Sequence, residues 1–176
     1  GITDIEVRDV AGALLPEDDE GTPGTYTTAT EGDRRLIRLN FDLSDTSATW
    51  TIHYRARSVV MFFDQGDELR WYVFDAVTSV PIGSVKATVT LPGEVAPQDM
   101  TQAVQTGYGV QTAVTSPGLS TMVYEAADIP PYTEFWIVTG FPKGVVDFTW
   151  TARRVAAFVV PKVGFALPIF FLLGML

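Results

Sequence analysis

The sequence has 176 residues, 47% of them hydrophobic and 12% aromatic, which indicates a folded domain of ordinary size and excludes a disordered chain. Its 12 lysine and arginine residues against 21 acidic residues give a formal net charge of −9. The basic residues do not cluster, so nucleic acid is not an expected partner. The absence of cysteine excludes disulfides, zinc–thiolate sites and cysteine nucleophiles.

Strand patterns dominate the chain from its start. It opens at GITDIEV, without methionine and already within a strand-like pattern, so we expect a fragment of a longer protein. Three segments, RLIRLNFDL, TWTIHYRAR and VKATVTLPG, alternate between apolar and polar residues, which places the apolar side chains on one face of a sheet. These apolar residues are Ile37, Leu39, Phe41 and Leu43, then Trp50, Ile52, Tyr54 and Ala56, and then Val85, Ala87, Val89 and Leu91.

Weaker strand patterns and turn-forming sequences fill most of the remaining chain. The weaker strands are DIEVRDV, TYTTAT, TMVYEAA, EFWIVTGF and VDFTWTA, and the turns are PEDDEGTPG, EGD, DQGD, LPGEVAPQ and DIPPY. About seven to nine short strands without intervening helices predict an all-β fold. We expect an antiparallel β-sandwich, Ig-like or jelly-roll-like, over residues 1–150.

The stretch DQGDELRWYVFD places four carboxylates beside an aromatic run and is the first candidate for a catalytic or metal site. Asp64, Asp67 and Glu68 surround Gly66, but the ligand spacing of a calcium-binding EF-hand loop is missing. A hydrolytic pair of Glu68 with Asp75 is also disfavoured, because an extended strand separates the two by about 23 Å. We therefore interpret DQGD as a hairpin turn that leads into a strand, with Trp71 contributing to the core.

The other candidate sites have equally ordinary interpretations. His53 is the only histidine and lies on the polar face of its strand, so histidine-based triads and metal clusters are excluded. GLST, around Ser120, lacks the second glycine of a nucleophile elbow. The loop PEDDEG, with the acidic residues Glu17, Asp18, Asp19 and Glu20, is either a solvated loop or a weak calcium site.

Aromatic residues on two strands raise one further alternative. Tyr72, Phe74 and Trp136 are candidates for a sugar-binding platform. They alternate with other apolar residues, however, which favours strands that are packed on both faces.

The composition changes sharply near the C-terminus. Residues 155–176 carry one charge, Lys162, and the fourteen residues that follow it are uncharged. We expect residues 151–176 to form a juxtamembrane segment and the start of a transmembrane helix, with 155–176 in contact with the lipid bilayer. Arg153 and Arg154 favour a cytoplasmic domain, whereas the acidic composition fits an extracytoplasmic one, so the sequence leaves the topology open.

The segment HYRARSVVMFFDQGDELRWYVFDAVTSVPIGSVKATVTLPG resembles the signature region of YciQ-like predicted bacterial membrane proteins, a family of unknown function (domain of unknown function 2207). GFPKGVV resembles the segment with which this family's domain closes. Departures are Tyr72, where the family often has Asn, and Thr78 with Ser79, where it has an aromatic residue. The residues that match the signature are Tyr54, Asp67, Glu68, Leu69, Trp71, Val80, Pro81, Ile82, Leu91, Pro92 and Gly93.

The resemblance implies an exported domain that is tethered to the plasma membrane, and it implies no catalytic residues. Together with the missing catalytic sets, this leads us to expect a protein that is not an enzyme, has no cofactor, and acts in interaction or envelope scaffolding. The alternative is a ligand-binding or sensing module for envelope glycans or calcium.

Overall fold

The computed structural model describes residues 1–32 and 34–147, and it confirms an all-β protein with antiparallel strand pairing. The described chain divides into two compact units, unit 1 over Gly1–Met61 and unit 2 beginning at Phe62. The last predicted strand, VDFTWTA, and the expected transmembrane helix lie largely or wholly outside the described residues. Among the described residues, no helix is long and apolar enough to span a bilayer.

Unit 1 contains two strand pairs. Its strands are β1 (Ile2–Arg8), β2 (Thr25–Glu31), β3 (Arg34–Asn40) and β4 (Thr51–Ala56). β1 pairs antiparallel with β4, and β2 pairs antiparallel with β3. The two pairs are joined by Tyr26, whose hydroxyl donates a hydrogen bond to the Ile5 carbonyl oxygen at 3.3 Å. Val7 and Tyr26 form the buried centre of this small unit.

Two of the alternating segments are shorter as strands than their patterns predict. β3 ends at Asn40, and Phe41 and Leu43 beyond it are exposed instead of facing a core. The ring of Phe41 packs against that of Trp50 with 5.1 Å between centroids, so the loop buries part of its own apolar surface. Ile52 and Tyr54 remain more than one third exposed on β4.

Unit 2 is a sandwich of two antiparallel sheets. The division between the units falls within the short β5 (Val60–Phe62). The strands that follow are β6 (Asp67–Phe74), β7 (Ile82–Thr90), β8 (Thr101–Thr106), β9 (Gln111–Gly118), β10 (Thr121–Ile129) and β11 (Phe135–Phe141). One sheet has the order β5-β6-β11-β8 and the other the order β7-β10-β9. A single 3-10 turn, Pro97–Asp99, precedes β8.

The strand order of this sandwich differs from that of an immunoglobulin domain. Both divide seven strands into four and three, and both place the first, second and fourth strands in the larger sheet. In an immunoglobulin domain the fifth strand completes that sheet, whereas here the seventh strand, β11, does so. β11, the last strand among the described residues, therefore occupies a central position between β6 and β8.

The core of unit 2 lies between the two sheets. Tyr124 on β10 and Phe135 on β11 are fully buried, and Phe135 stacks on Phe74 with 5.7 Å between ring centroids. The alternation of β7 is confirmed, because Val89 and Leu91 are buried while Thr88 and Thr90 are exposed. Trp71 is only half-buried, so Tyr124 and Phe135 mark the centre of the core.

β8 and β9 are strands that the sequence patterns did not predict. Their sequences, TQAVQT and QTAVTSPG, are exposed on one face and only partly buried on the other, where each strand has a single valine among polar residues. Each is an edge strand of its sheet, which explains why burial left no periodic signal in the sequence.

Candidate functional site

The acidic stretch forms the predicted hairpin turn between β5 and β6. The Phe63 N–H donates to the Gly66 carbonyl oxygen at 3.1 Å and closes the turn. A β-carbon at Gly66 would lie 3.1 Å from the Phe141 carbonyl oxygen, so the turn lies close against the end of β11. This approach brings the first residue of β6, Asp67, beside the segment that follows β11.

Asp67 is a buried carboxylate in this arrangement. Its side chain is 3% exposed and accepts a hydrogen bond from the Lys143 ammonium group at 3.3 Å. Burial of an ionised carboxylate is costly unless a cation or hydrogen-bond donors compensate for the lost water. Lys143 supplies the cation, and the pair therefore ties the β5–β6 turn to the GFPKGVV segment.

The surrounding surface is a shallow groove of about 400 Å³. Asp67, Glu68 and Asp99 contribute the acidic part of its lining, and Phe63 and Phe141 contribute apolar walls. Glu68 is paired with Arg70, whose guanidinium donates to it at 2.9 Å. Two of the three acids are therefore occupied by salt bridges within unit 2.

Ser120, in the GLST motif, forms hydrogen bonds that hold two loops of unit 2 together. It has a φ of +59°, and its hydroxyl donates to the Gly93 carbonyl oxygen at 2.6 Å while accepting from the Val95 N–H at 2.8 Å. Its own N–H donates to the Val95 carbonyl oxygen at 2.8 Å. These bonds fasten the loop after β7 to the turn between β9 and β10.

The acidic loop of unit 1 is held by hydrogen bonds within the loop. The Asp18 carboxylate accepts from the N–H groups of Glu20 at 3.0 Å and Thr22 at 3.3 Å. The hydrogen bond with the Thr22 side chain and those with the backbone lower the pKa of Asp18 below its ordinary value of 3.8. Glu17 accepts from the Thr28 hydroxyl, so this loop has the contacts of a turn.

His53 lies in a polar depression on the β1–β4 pair. The depression also contains Asp4, Glu6 and Arg8, and Glu6 stands opposite His53 in the register. The Arg8–Glu6 and Arg55–Asp4 salt bridges span 2.9 and 3.5 Å. Across residues 1–32 and 34–147, no three histidine, aspartate or glutamate side chains converge as a metal site would require.

Aromatic residues form a partly open patch on the outer face of the four-stranded sheet. Tyr72 on β6 stands opposite Trp136 on β11, with 5.9 Å between ring centroids. The sequence predicts that β6 is packed on both faces. This prediction is wrong for its outer face, where Tyr72 is 55% exposed. The Arg70 guanidinium lies 5.4 Å from the centroid of the Trp136 ring. Phe74 turns into the core instead, because the register shifts between Phe135 and Trp136.

Polar side chains border this aromatic patch. Gln105 on β8 stands opposite Trp136, and its amide donates to the Glu134 carboxylate at 3.2 Å. The patch therefore combines two aromatic rings with a guanidinium, an amide and a carboxylate. Rings flanked by planar polar groups provide both apolar contact and hydrogen bonds for a ligand that carries hydroxyl groups.

The described chain is all-β, and comparison with known families identifies it as a domain of a predicted membrane protein. Residues 3–141 match the family described as the predicted membrane protein (DUF2207) N-terminal domain, and the chain belongs to this family. Neither the comparison with curated proteins nor that with solved structures found a match.

Lys143 is the residue whose role the sequence patterns missed. GFPKGVV is recognisable as a motif, but its lysine pairs with a carboxylate 76 residues earlier in the chain. No local spacing encodes such a contact. The only available signal was that DQGD and GFPKGVV both belong to the segments that resemble the family.

Proposed function

We propose that this chain is the extracytoplasmic β-domain of a plasma-membrane protein, and that it acts in binding or envelope scaffolding without catalysing a reaction. The family description supports the membrane assignment. The uncharged composition after Lys162 supports anchoring through residues 155–176. The acidic character of the domain and the resemblance to an exported family support an extracytoplasmic position.

The single observation that carries the proposed non-catalytic role is the burial of Asp67 and its salt bridge with Lys143. A general acid or nucleophile must reach its substrate, whereas the Asp67 carboxylate is buried and bonded to Lys143. Glu68 and Ser120 are likewise bonded to neighbours within unit 2. The side chains with the most suggestive sequence contexts therefore stabilise loops and turns.

Protease accessibility in intact cells tests the location. The full-length protein is expressed with a tag next to the β-domain, and the cells are treated with protease before and after lysis, with a cytosolic protein as control. We expect cleavage without lysis. Protection until lysis would place the domain in the cytoplasm and contradict the proposal.

A glycan ligand for the aromatic patch is the second candidate, favoured by the pairing of Tyr72 with Trp136 beside Arg70, Gln105 and Glu134. Carbohydrates present CH faces to aromatic rings and hydroxyl groups to planar polar side chains. The uncharged and acidic glycans of bacterial envelopes are the probes for this patch, Arg70 being the side chain that would favour an acidic one.

A glycan array with the wild-type chain and two tyrosine variants tests this candidate. Tyr72→Ala removes one ring of the patch, and Tyr108→Ala removes a fully exposed ring elsewhere on unit 2. We expect binding that is lost in Tyr72→Ala and kept in Tyr108→Ala. Absence of any glycan that binds the wild-type chain, or equal loss in both variants, would contradict it.

A further inference from the structure

β8 presents an open edge of the four-stranded sheet. It pairs along its full length with β11, from Thr101 opposite Gly140 to Thr106 opposite Phe135, without a shift in register. Within the described part of the chain, no strand pairs with its other side. Alternate N–H and C=O groups of β8 therefore point outward, where another strand is able to pair with them.

This edge lacks the features by which proteins usually block edge-to-edge pairing. Edge strands are commonly very short, or they carry charges, proline or a bulge. At the other three edges of the two sheets, β5 has three residues, β7 carries Lys86 and β9 contains Pro117. β8, with the sequence TQAVQT, has six regularly paired residues and none of these features.

The charge distribution indicates which partner fits this edge. From Met100 to Tyr124 the chain has no charged residue, although its net charge is −9. When a strand pairs with a copy of itself, any charge near the symmetry axis meets a like charge, which is destabilising. An uncharged edge in an acidic protein therefore suits pairing between two copies of the chain. A different peptide would gain no specific charge–charge interaction with β8.

We propose that β8 pairs antiparallel with β8 of a second copy of the chain about a two-fold axis, so that two four-stranded sheets form one continuous sheet. The axis stands perpendicular to the sheet and therefore places residues of the same face opposite each other. Ala103, the smallest residue of the strand, lies at the axis opposite its own copy. Thr101 of each copy then faces Gln105 of the other.

This register also separates the acidic groups that flank the strand. Asp99 of each copy lies level with Gly107 of the other, eight positions from the copy's own Asp99, which is about 27 Å at 3.4 Å per residue. Six paired residues bury less than the roughly 800 Å² per partner of a standard interface. We therefore expect a dimer that dissociates on dilution. This inference does not depend on catalysis, on a glycan or on topology.

Disulfide trapping tests the pairing, because the chain has no cysteine of its own. Ala103→Cys places one thiol at the axis, where opposed Cα atoms lie about 4.5–5.5 Å apart and within the range that a disulfide spans. Ala113→Cys, at an alanine that is also exposed and lies on edge strand β9, is the control. With the full chain in detergent micelles under mild oxidation, we expect covalent dimer from Ala103→Cys to form several-fold faster than from Ala113→Cys. Equal rates, or no dimer from either variant, would overturn the proposal.

Charge substitutions at the axis provide a second test by sedimentation. Ala103→Lys and Ala103→Glu each place two like charges opposite one another, so each variant alone should be monomeric at concentrations where the wild-type chain dimerises. An equimolar mixture of the two should dimerise, because opposite charges then meet at the axis. Thermal melting of each variant checks that the fold is intact. A wild-type chain that stays monomeric, or variants that dimerise as well as the wild type, would contradict self-pairing.

Discussion

The hydroxyl of Tyr124 on β10 lies 2.6 Å from both the Val138 carbonyl oxygen and the Thr139 hydroxyl on β11. Tyr124 and Thr139 are fully buried, and they belong to opposite sheets of unit 2. Where two sheets meet only through apolar side chains, the packing of those side chains sets the distance between the sheets. A hydrogen bond across the core adds a direction and a distance to that contact.

Removing this hydroxyl should destabilise unit 2. Tyr124→Phe keeps the ring but deprives two buried oxygen atoms of a partner, so we expect the free energy of unfolding to fall by about 1–3 kcal/mol. Tyr108→Phe, at a fully exposed tyrosine, should change it by less than about 0.5 kcal/mol. Urea titration of the two variants measures the difference, and equal stabilities would show that the bond contributes nothing.

The stability of unit 2 at alkaline pH should also depend on Tyr124. Burial raises the pKa of Tyr124 above its ordinary value of 10.0, although the hydrogen bond with Thr139 lowers it in part. The folded state therefore holds the proton more tightly than the unfolded state does. This contribution to stability is fully present below pH 10.0 and is lost as the pH rises through the folded pKa. Tyr124→Phe should lose less stability above pH 10.0 than the wild type, whereas Tyr108→Phe should follow the wild type.

Ser120 should matter for stability despite its exclusion as a nucleophile. Ser120→Ala leaves the buried Val95 N–H without its acceptor and removes the hydrogen bond to Gly93, so we expect a loss of about 1–3 kcal/mol. Ser84→Ala, at an exposed serine on β7, is the control. Thermal melts that place both variants within error of the wild type would contradict a structural role for Ser120.

Two lysine salt bridges in the described part of unit 2 should differ in their contribution to stability. Lys143→Met leaves Asp67 buried without its cation, and a loss on the order of 1–3 kcal/mol is expected. Lys86→Met breaks the exposed pair with Glu125 and should cost less than about 1 kcal/mol. Adding Asp67→Asn to Lys143→Met should recover part of the loss, and a double variant that is no better than Lys143→Met would argue against an unpaired charge as the cause.

Gly140 should not tolerate a side chain. A β-carbon at this position of β11 would collide with the Thr101 hydroxyl on β8, whereas one at Gly83 on β7 would meet no atom within 4 Å. Gly140→Ala should therefore destabilise unit 2 by about 1–3 kcal/mol, and Gly83→Ala should not. The double variant Gly140→Ala with Thr101→Ala should recover most of the stability in urea titration. No recovery would mean that the clash lies elsewhere.

Sequence alternation is most informative for strands whose two faces differ in burial. β7 is such a strand, since Val89 is buried between exposed threonines. β8 and β9 escaped prediction because the partly buried face of each edge strand has a single valine among polar residues, which leaves too little alternation to detect. Trp71 shows the limit for single residues, because its size predicts a core position while its place on β6 leaves it half-buried.

The sequence predicted the local structure of the candidate sites but not the long-range contacts of their side chains. DQGD was identified as a turn from the local preferences of Asp and Gly. The pairing of Asp67 with Lys143, like that of Tyr72 with Trp136, depends on the placement of β11 beside β6. That placement reflects the packing of the whole sandwich and has no signature in either short segment.

The central position of β11 has a mechanical consequence. A pull that reaches unit 2 from its C-terminal side enters along β11, which is hydrogen-bonded to β6 on one side and β8 on the other. A load that runs along the axis of β11 shears both ladders at once, so that their hydrogen bonds yield together instead of one after another. The Lys143–Asp67 salt bridge lies at the end where the load arrives and takes part of it first. Unit 2 should therefore resist tension that is applied along β11.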